Sequence, residues 1–175
     1  YGVSKALTAE VAAYECSRRG VPFGKFVIPN PFGPLEEPRF TAYLIKTWAK
    51  GATPGVNTPA YVRDNIHVSA LARAYAAFVG RMASEKPGFV KVSPSGYVES
   101  QGRFAERFAA EMAPRLKIDC PVELAHQKVF EEPRIRIGVD PVTMTPAEES
   151  AAWDAIAEDY SSRVLNPDDA IRVIY

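Results

Sequence analysis

A phenol and an ammonium group stand four residues apart at the start of the chain, in Tyr1-Gly2-Val3-Ser4-Lys5. In a helix, positions i and i+4 share a face, so the two side chains are expected side by side. A lysine beside a tyrosine favours the phenolate and lowers the phenol pKa. Such a pair suits an enzyme that moves a proton to or from a hydroxyl while a hydride moves on carbon. The same spacing also describes a plain surface pair at a helix start, since any helix can carry Tyr-x-x-x-Lys by chance.

Few other groups offer chemistry. The histidines are His67 and His126, and the cysteines Cys16 and Cys120 lie far apart without CxxC spacing. That pattern predicts neither a disulfide framework nor a zinc site, and it fits a reducing, cytoplasmic setting. No metal site is expected. Lys plus Arg total 21 and Asp plus Glu total 21, for a net charge of zero. A balanced chain has no electrostatic footprint for nucleic acid or an anionic membrane. An anionic ligand must therefore be held by a local cluster rather than by the field of the whole chain. Read as residues alone, Arg63 suits an ion pair with Asp64 or a nearby Glu, and the Arg134-Ile135-Arg136 run a half-exposed strand. No apolar run is long enough to span a bilayer, and nothing resembles a signal peptide.

The elements that must position these groups follow from periodicity and punctuation. Ala6, Leu7, Val11, Ala12 and Tyr14 recur at helical spacing over 3–19, and Gly20 ends the helix. Residues 23–28 read as a short buried strand stopped by Pro29, and the proline-rich stretch 29–38 as loop. A helix is predicted over 40–49 and a loop over 52–63. A strong helix over 68–82 follows, with Leu71, Ala72, Tyr75, Ala76 and Val79 on one face. A second buried strand covers 89–92. Ser100 caps a helix over 101–112 whose Phe104, Phe108 and Met112 form a core stripe. One or two short strands broken by Pro133 fall within 121–139. Pro146 opens a last amphipathic helix, with Ala151, Trp153, Ile156 and Tyr160, that reaches about Ser162. Helix alternating with strand indicates α/β. Two strands are too few for an independent parallel sheet, so these are expected to belong to a larger one.

Three motifs in order carry a resemblance. Tyr1-x-x-x-Lys5 is followed by a strand, then by Asn30-Pro31-Phe32-Gly33-Pro34, then by Arg63-Asp64-Asn65-Ile66-His67-Val68-Ser69-Ala70 opening a helix. The chain resembles the extended short-chain dehydrogenase/reductase family, the NAD-dependent sugar epimerase/dehydratase group. That family has Asn-x-Tyr-Gly-Pro and Arg-Asp-Phe-Ile-His-Val-Asp-Asp at the matching places. The match is close from Tyr1 to about Met112 and loose beyond. It implies an α/β fold: the C-terminal part of a Rossmann-type doubly wound parallel sheet plus a small mixed substrate-binding lobe. Residues 1–35 and 64–95 would be the remaining Rossmann elements, and 36–63 and 96–175 the substrate lobe. The Gly-rich phosphate loop does not occur in the sequence, so the N-terminal dinucleotide-binding half is expected to be absent from it.

The resemblance also implies roles. Tyr1 would be the general acid/base, and Lys5 would hold the nicotinamide ribose and depress the tyrosine pKa. Ile28 and Pro29 would lie against the nicotinamide ring of NAD or NADP, in a cofactor site left incomplete by this chain. Asn30, Arg63 and Arg136 would bind a nucleotide-sugar, Arg63 through its diphosphate, where a planar guanidinium fork suits paired oxygens, and Arg136 as a late arginine closing on the nucleotide. His67 would be structural, packed beneath the helix that starts at Val68. A homodimer through the Tyr-x-x-x-Lys helix is expected. The chain departs from the family at Phe32, where tyrosine is usual, and at Ser69 and Ala70, where two aspartates are usual. Ser69 is expected to keep the N-cap role. The activity implied is hydride transfer in an epimerase, dehydratase or reductase; this fragment alone is expected to be inactive. The alternative is a non-catalytic pseudo-enzyme piece or binding module that keeps the scaffold without the cofactor.

Overall fold

The computed structural model describes residues 2–36 and 38–165. The Ala-rich opening segment forms α1 (Gly2–Arg18), after which Gly20 takes a positive φ of 64° and releases the chain into β1 (Phe23–Phe26). The chain continues through β2 (Asn30–Phe32), α2 (Phe40–Trp48), β3 (Gly55–Val56), β4 (Val62–His67) and α3 (Val68–Met82). Then come β5 (Phe89–Val92), β6 (Pro94–Ser95), β7 (Tyr97–Ser100) and α4 (Gln101–Leu116). The last part holds β8 (Glu123–Leu124), β9 (Ile135–Arg136), β10 (Asp140–Pro141) and α5 (Pro146–Tyr160), which ends in a π-turn over Ser161–Leu165. The fold is mixed α/β with mainly parallel pairing.

β4 is the organising strand. β2 runs parallel to its second half, with Asn30 opposite Asn65 and Phe32 opposite His67. β9 runs parallel to its first half, with Arg63 opposite Arg136. β7 lies antiparallel along the other edge. Two residues of the expected 52–63 loop, Val62 and Arg63, thus open the central strand, and Asn30, expected in a loop, starts its neighbour. The reason is chemical. From Arg63 to His67 every β4 residue is buried, but four of the five are polar or charged, so the strand lacks the apolar run that marks a buried strand in a sequence.

The apolar core lies between this sheet and helices α2, α4 and α5. The stripe Phe104, Phe108 and Met112 on α4 is fully buried, as its spacing predicts. Trp153, Ile156 and Tyr160 of α5 join it, with Ala152 rather than the exposed Ala151. Helix starts follow the expected chemistry. Ser100 accepts from the Arg103 amide, and Thr145 forms a reciprocal capping box with Glu148 ahead of Pro146. Phe32 sits at the centre, with ring centroids 5.1 Å from Phe104, 5.3 Å from Trp153, 5.7 Å from His67 and 6.0 Å from Tyr97.

The other region is less covered. β1 pairs with β5 alone, parallel, in a two-stranded sheet. β5 alternates exposed and half-buried residues and β1 is half-buried throughout, so neither is the fully buried strand expected. On α1 no residue is buried, and Val3, Leu7, Val11 and Tyr14 form a stripe with each side more than half in solvent. On α3 only Ala70 is buried, while Tyr75 and Val79 of the predicted apolar face stay exposed. Within the described residues the α1 stripe stays largely in solvent, while α3 meets β1 through Phe26 against Tyr75 and Phe78. Among those residues, no helix is long and apolar enough to cross a membrane.

Phe32→Ala is expected to remove the hub that ties β2 to the core and to lower unfolding free energy by about 3–5 kcal/mol, the usual range for emptying a buried aromatic site. Urea denaturation followed by Trp153 fluorescence measures this.

Candidate functional site

A cavity of about 310 Å³ opens beyond the carboxyl ends of β1 and β5. Its wall brings together Ile28 and Pro29 after β1, Asn30 at the start of β2, Arg63 on β4 and Arg136 on β9. These residues span more than a hundred positions of sequence. β1 and β5 lead into the cavity from one side, while the β2–β4–β9 pairing aligns Asn30, Arg63 and Arg136 on the other. A second cavity of about 230 Å³ shares Asn30 and Arg63 and adds Arg39, Thr41, Asn65 and Gln101. Asn30 and Arg63 therefore stand at the junction of two spaces whose walls mix polar and apolar groups.

Arg63 is only 9 % exposed and is held on several sides. Its Nη1 donates to the carbonyls of Val62, Pro133 and Arg134 at 2.9, 3.2 and 3.2 Å. Its guanidinium lies 4.3 Å from the centre of the Tyr61 ring, a cation–π contact. Its Nη2 is 3.6 Å from a carboxylate oxygen of Glu132. Burial, then the neighbouring Arg136 charge, lower its pKa from the ordinary value. Arg136 is half in solvent and pairs with the same Glu132 oxygen. Arg134, the other member of the run, stacks on Phe130 instead, 4.3 Å from the ring centre. The ion pair with a nearby Glu expected as the alternative for Arg63 is thus present, and its partner is Glu132, not Asp64.

Asp64 is spent differently. It is 2 % exposed, and its two carboxylate oxygens accept the Gly96 and Gly138 amides at 2.7 and 2.8 Å. Both glycines are sterically required. A Cβ on Gly96 would stand 2.6 Å from the Asn65 carbonyl, and one on Gly138 2.2 Å from the Pro94 carbonyl. Asp64 thereby clamps the segment that carries Arg136 against the sheet. The role is absent from a pattern reading because both partners are backbone amides, which a sequence does not distinguish. Glu132 does leave a trace, as an acidic residue four positions before Arg136.

The loop after Asn30 is also pinned. Leu35 holds a positive φ of 60°, and its amide donates to Asp159 at 3.2 Å. Glu36 accepts from the Thr41 hydroxyl and from the Tyr160 hydroxyl, so the end of α5 braces the wall of the second cavity. Burial first, then the hydrogen bond to Glu36, push the Tyr160 phenol upward and keep it protonated.

His67 caps α3: its Nδ1 accepts the Ser69 amide at 3.2 Å and lies 2.7 Å from the Ser69 hydroxyl. This corrects the N-cap expected at Ser69, because the imidazole sits one position outside the helix with extended backbone, φ −66° and ψ 139°. His67 is 4 % exposed, and Nε2 has no hydrogen-bond partner among the described residues. Burial lowers its pKa below 6.5 and holds it neutral. Cys120 is no nucleophile: burial, then Asp119, raise its thiol to about 11. Lys5 is exposed on the first turn of α1, outside the lining of either cavity, and Tyr1 lies outside the described residues. No cluster that could hold a metal ion occurs among the described residues.

No family model and no curated protein sequence matches the chain. Solved structures do. RMD of Pseudomonas aeruginosa, solved with NADPH, aligns over 93 % of this chain and 56 % of its own length, at 19 % identity and a TM-score of 0.62. The UDP-glucose 4-epimerase of Thermotoga maritima with UDP-glucose aligns over 93 % and 53 %, at 14 % identity and a TM-score of 0.62. The UDP-glucose 4-epimerase of Bifidobacterium longum with NAD+ and UDP aligns over 97 % and 56 %, at 16 % identity and a TM-score of 0.59. The chain spans about half the length of these structures and matches their C-terminal portions. At such identities the likeness is one of fold.

Two outcomes follow from the clamp and the cap. Asp64→Asn turns an N–H toward one of the two glycine amides and is expected to cost about 1–3 kcal/mol, the penalty for a buried unsatisfied donor, in urea denaturation. Because the folded state holds His67 below the 6.5 of a free imidazole, its contribution is complete above pH 6.5 and is lost as pH falls through the folded value. Unfolding free energy measured from pH 7.5 down to 4.5 should fall accordingly, with a shallower fall in His67→Asn, which keeps a capping acceptor but does not titrate.

Proposed function

We propose that this chain, which has the fold of the C-terminal part of extended short-chain dehydrogenase/reductases, supplies the substrate-binding and acid/base half of an NAD(P)-dependent enzyme acting on a nucleotide-sugar. The observation that carries the reading is the meeting of Ile28, Pro29, Asn30, Arg63 and Arg136 on one cavity at the carboxyl ends of parallel strands. That is where open α/β sheets bind ligands. Arg63 and Arg136 stand side by side in register, so two guanidinium forks face the space a diphosphate would fill. Asn30 lies at the junction, where its amide can bind sugar or phosphate oxygens.

The residues present fit a nicotinamide cofactor. Ile28 is 60 % exposed at the strand end, and with Pro29 it offers an apolar surface for a flat ring. Lys5 would hold the nicotinamide ribose. When bound, the dinucleotide supplies the acceptor and donor of hydride. The protein's own step is proton transfer. Tyr1 holds or takes the proton of the sugar hydroxyl at its phenol oxygen, and Lys5, one turn on, favours the phenolate. The wall of the second cavity, braced by Glu36 and Tyr160, is assigned to the rest of the nucleotide.

The division into 1–35 with 64–95 and 36–63 with 96–175 agrees with where the apolar core lies, since nearly all of it belongs to the second set. The first set has a β1 paired on one side and the exposed faces of α1 and α3. The reading gives these surfaces covers: the strands of a dinucleotide-binding half on β1, and a second copy of the chain on the Val3, Leu7, Val11 and Tyr14 stripe.

The test uses the protein whole, this chain together with the segment that completes its sheet, titrated with NAD and NADP by calorimetry. Turnover is followed by cofactor absorbance with UDP-, GDP- and dTDP-sugars. Tyr1→Phe should abolish turnover with little change in cofactor affinity, and Lys5→Met should weaken both. Arg63→Gln should raise the substrate KM about tenfold or more, as expected on losing a charge-assisted hydrogen bond. Binding of neither dinucleotide overturns the reading. Ligand binding without turnover in the native protein identifies a non-catalytic binding module instead.

A further inference from the structure

Glu132 stands where an anionic ligand is expected. Three carbonyls occupy Nη1 of Arg63, so Nη2 is the nitrogen left to meet an anion, and it points to Glu132. The same carboxylate oxygen pairs with Nη2 of Arg136. One oxygen therefore lies between two guanidinium groups that the β4–β9 register holds side by side. The backbone beneath it is fixed, since the Glu131 and Glu132 amides both donate to the Tyr61 hydroxyl, at 2.9 and 3.3 Å. The side chain is not. The Glu132 and Arg136 side chains are 48 % and 57 % exposed, against 10 % for Arg63. The carboxylate can rotate into water without moving the strand, and Arg63 cannot follow it.

We propose that Glu132 is the resident counter-anion of the phosphate subsite, which a ligand's phosphates displace. The proposal rests on the reading of Arg63 and Arg136 as phosphate-binding. Without substrate, the carboxylate neutralises two adjacent cations, Arg63 and Arg136. With substrate, it gives way. Every competing anion pays the same factor, because apparent affinity scales with the fraction of sites left open. A weak, abundant anion such as orthophosphate then falls below occupancy, while a diphosphate able to reach both arginines still fills the site. No bond is made or broken; a carboxylate exchanges protein cations for water.

The probe is inorganic pyrophosphate, titrated calorimetrically at low ionic strength into the native protein, Glu132→Gln and Glu131→Gln. Glu132→Gln should bind pyrophosphate about fivefold more tightly, the size of an exposed ion pair removed from competition. Glu131→Gln removes the same charge one residue away and should stay within about twofold of native, since longer-range effects are screened. Equal or weaker binding by Glu132→Gln would mean that Glu132 holds the arginines in place rather than competing for them, and the proposal falls alone. An equal gain in Glu131→Gln also overturns it, by showing a general charge effect. If neither the native protein nor Glu132→Gln binds pyrophosphate, the phosphate reading of Arg63 and Arg136 falls with it.

Discussion

Strand β4 runs between neighbours on both edges, and its Arg63, Asp64, Asn65 and His67 are buried. A buried polar group without a partner costs several kcal/mol, roughly 2–7 by transfer, so the surroundings of this strand must supply partners. They do so from distant segments. Carbonyls of 133–134 come to Arg63 and amides of Gly96 and Gly138 come to Asp64, while Nδ1 of His67 is met locally by Ser69 in the first turn of α3. Satisfying one strand thereby draws the β6–β7 turn, the β9–β10 segment and a helix start into fixed places. The wall of the first cavity is a by-product of that satisfaction.

The aromatic core packs on the same strand pair, where Phe32 stands opposite His67. Phe32 and Asn30, two residues apart, share one face of β2, with Phe32 inside the Phe104–Trp153 cluster and Asn30 at the exposed start of the strand beside the cavities. At this position the chain buries a plain phenyl ring, Phe32, only 3 % exposed, and the packing needs no hydroxyl partner. α5 extends the same logic outward. Its buried face completes the core, and its last turn, through Asp159 and Tyr160, holds the loop at Leu35 and Glu36 against that core. Core packing and site geometry are joined at both ends of a single short strand.

The two regions of the molecule differ in how far they are self-sufficient. The sheet around β4 with α2, α4 and α5 encloses a continuous apolar cluster. The β1–β5 pair with α1 and α3 leaves apolar side chains in solvent and β1 paired on one side only. Parallel strands are normally covered on both faces, and that rule gives the uncovered surfaces their place in the proposed enzyme.

Much was legible from residues alone. Gly20, Ser100 and Pro146 mark helix ends because capping and φ limits act within a few residues, and Phe104, Phe108 and Met112 predict their own burial because helical periodicity is local. The α/β class follows from the same local signals, and the three ordered motifs indicated which residues to watch. What tertiary structure alone decided was β4 as the central strand, the N-cap at His67 rather than Ser69, Asp64 as a clamp on two glycine amides, and Glu132 between two arginines. Each depends on partners far away in sequence or on backbone groups that every residue carries. Hydrogen bonding replaces hydrophobicity as the reason for burial there, and no periodic pattern records a hydrogen bond to a distant amide.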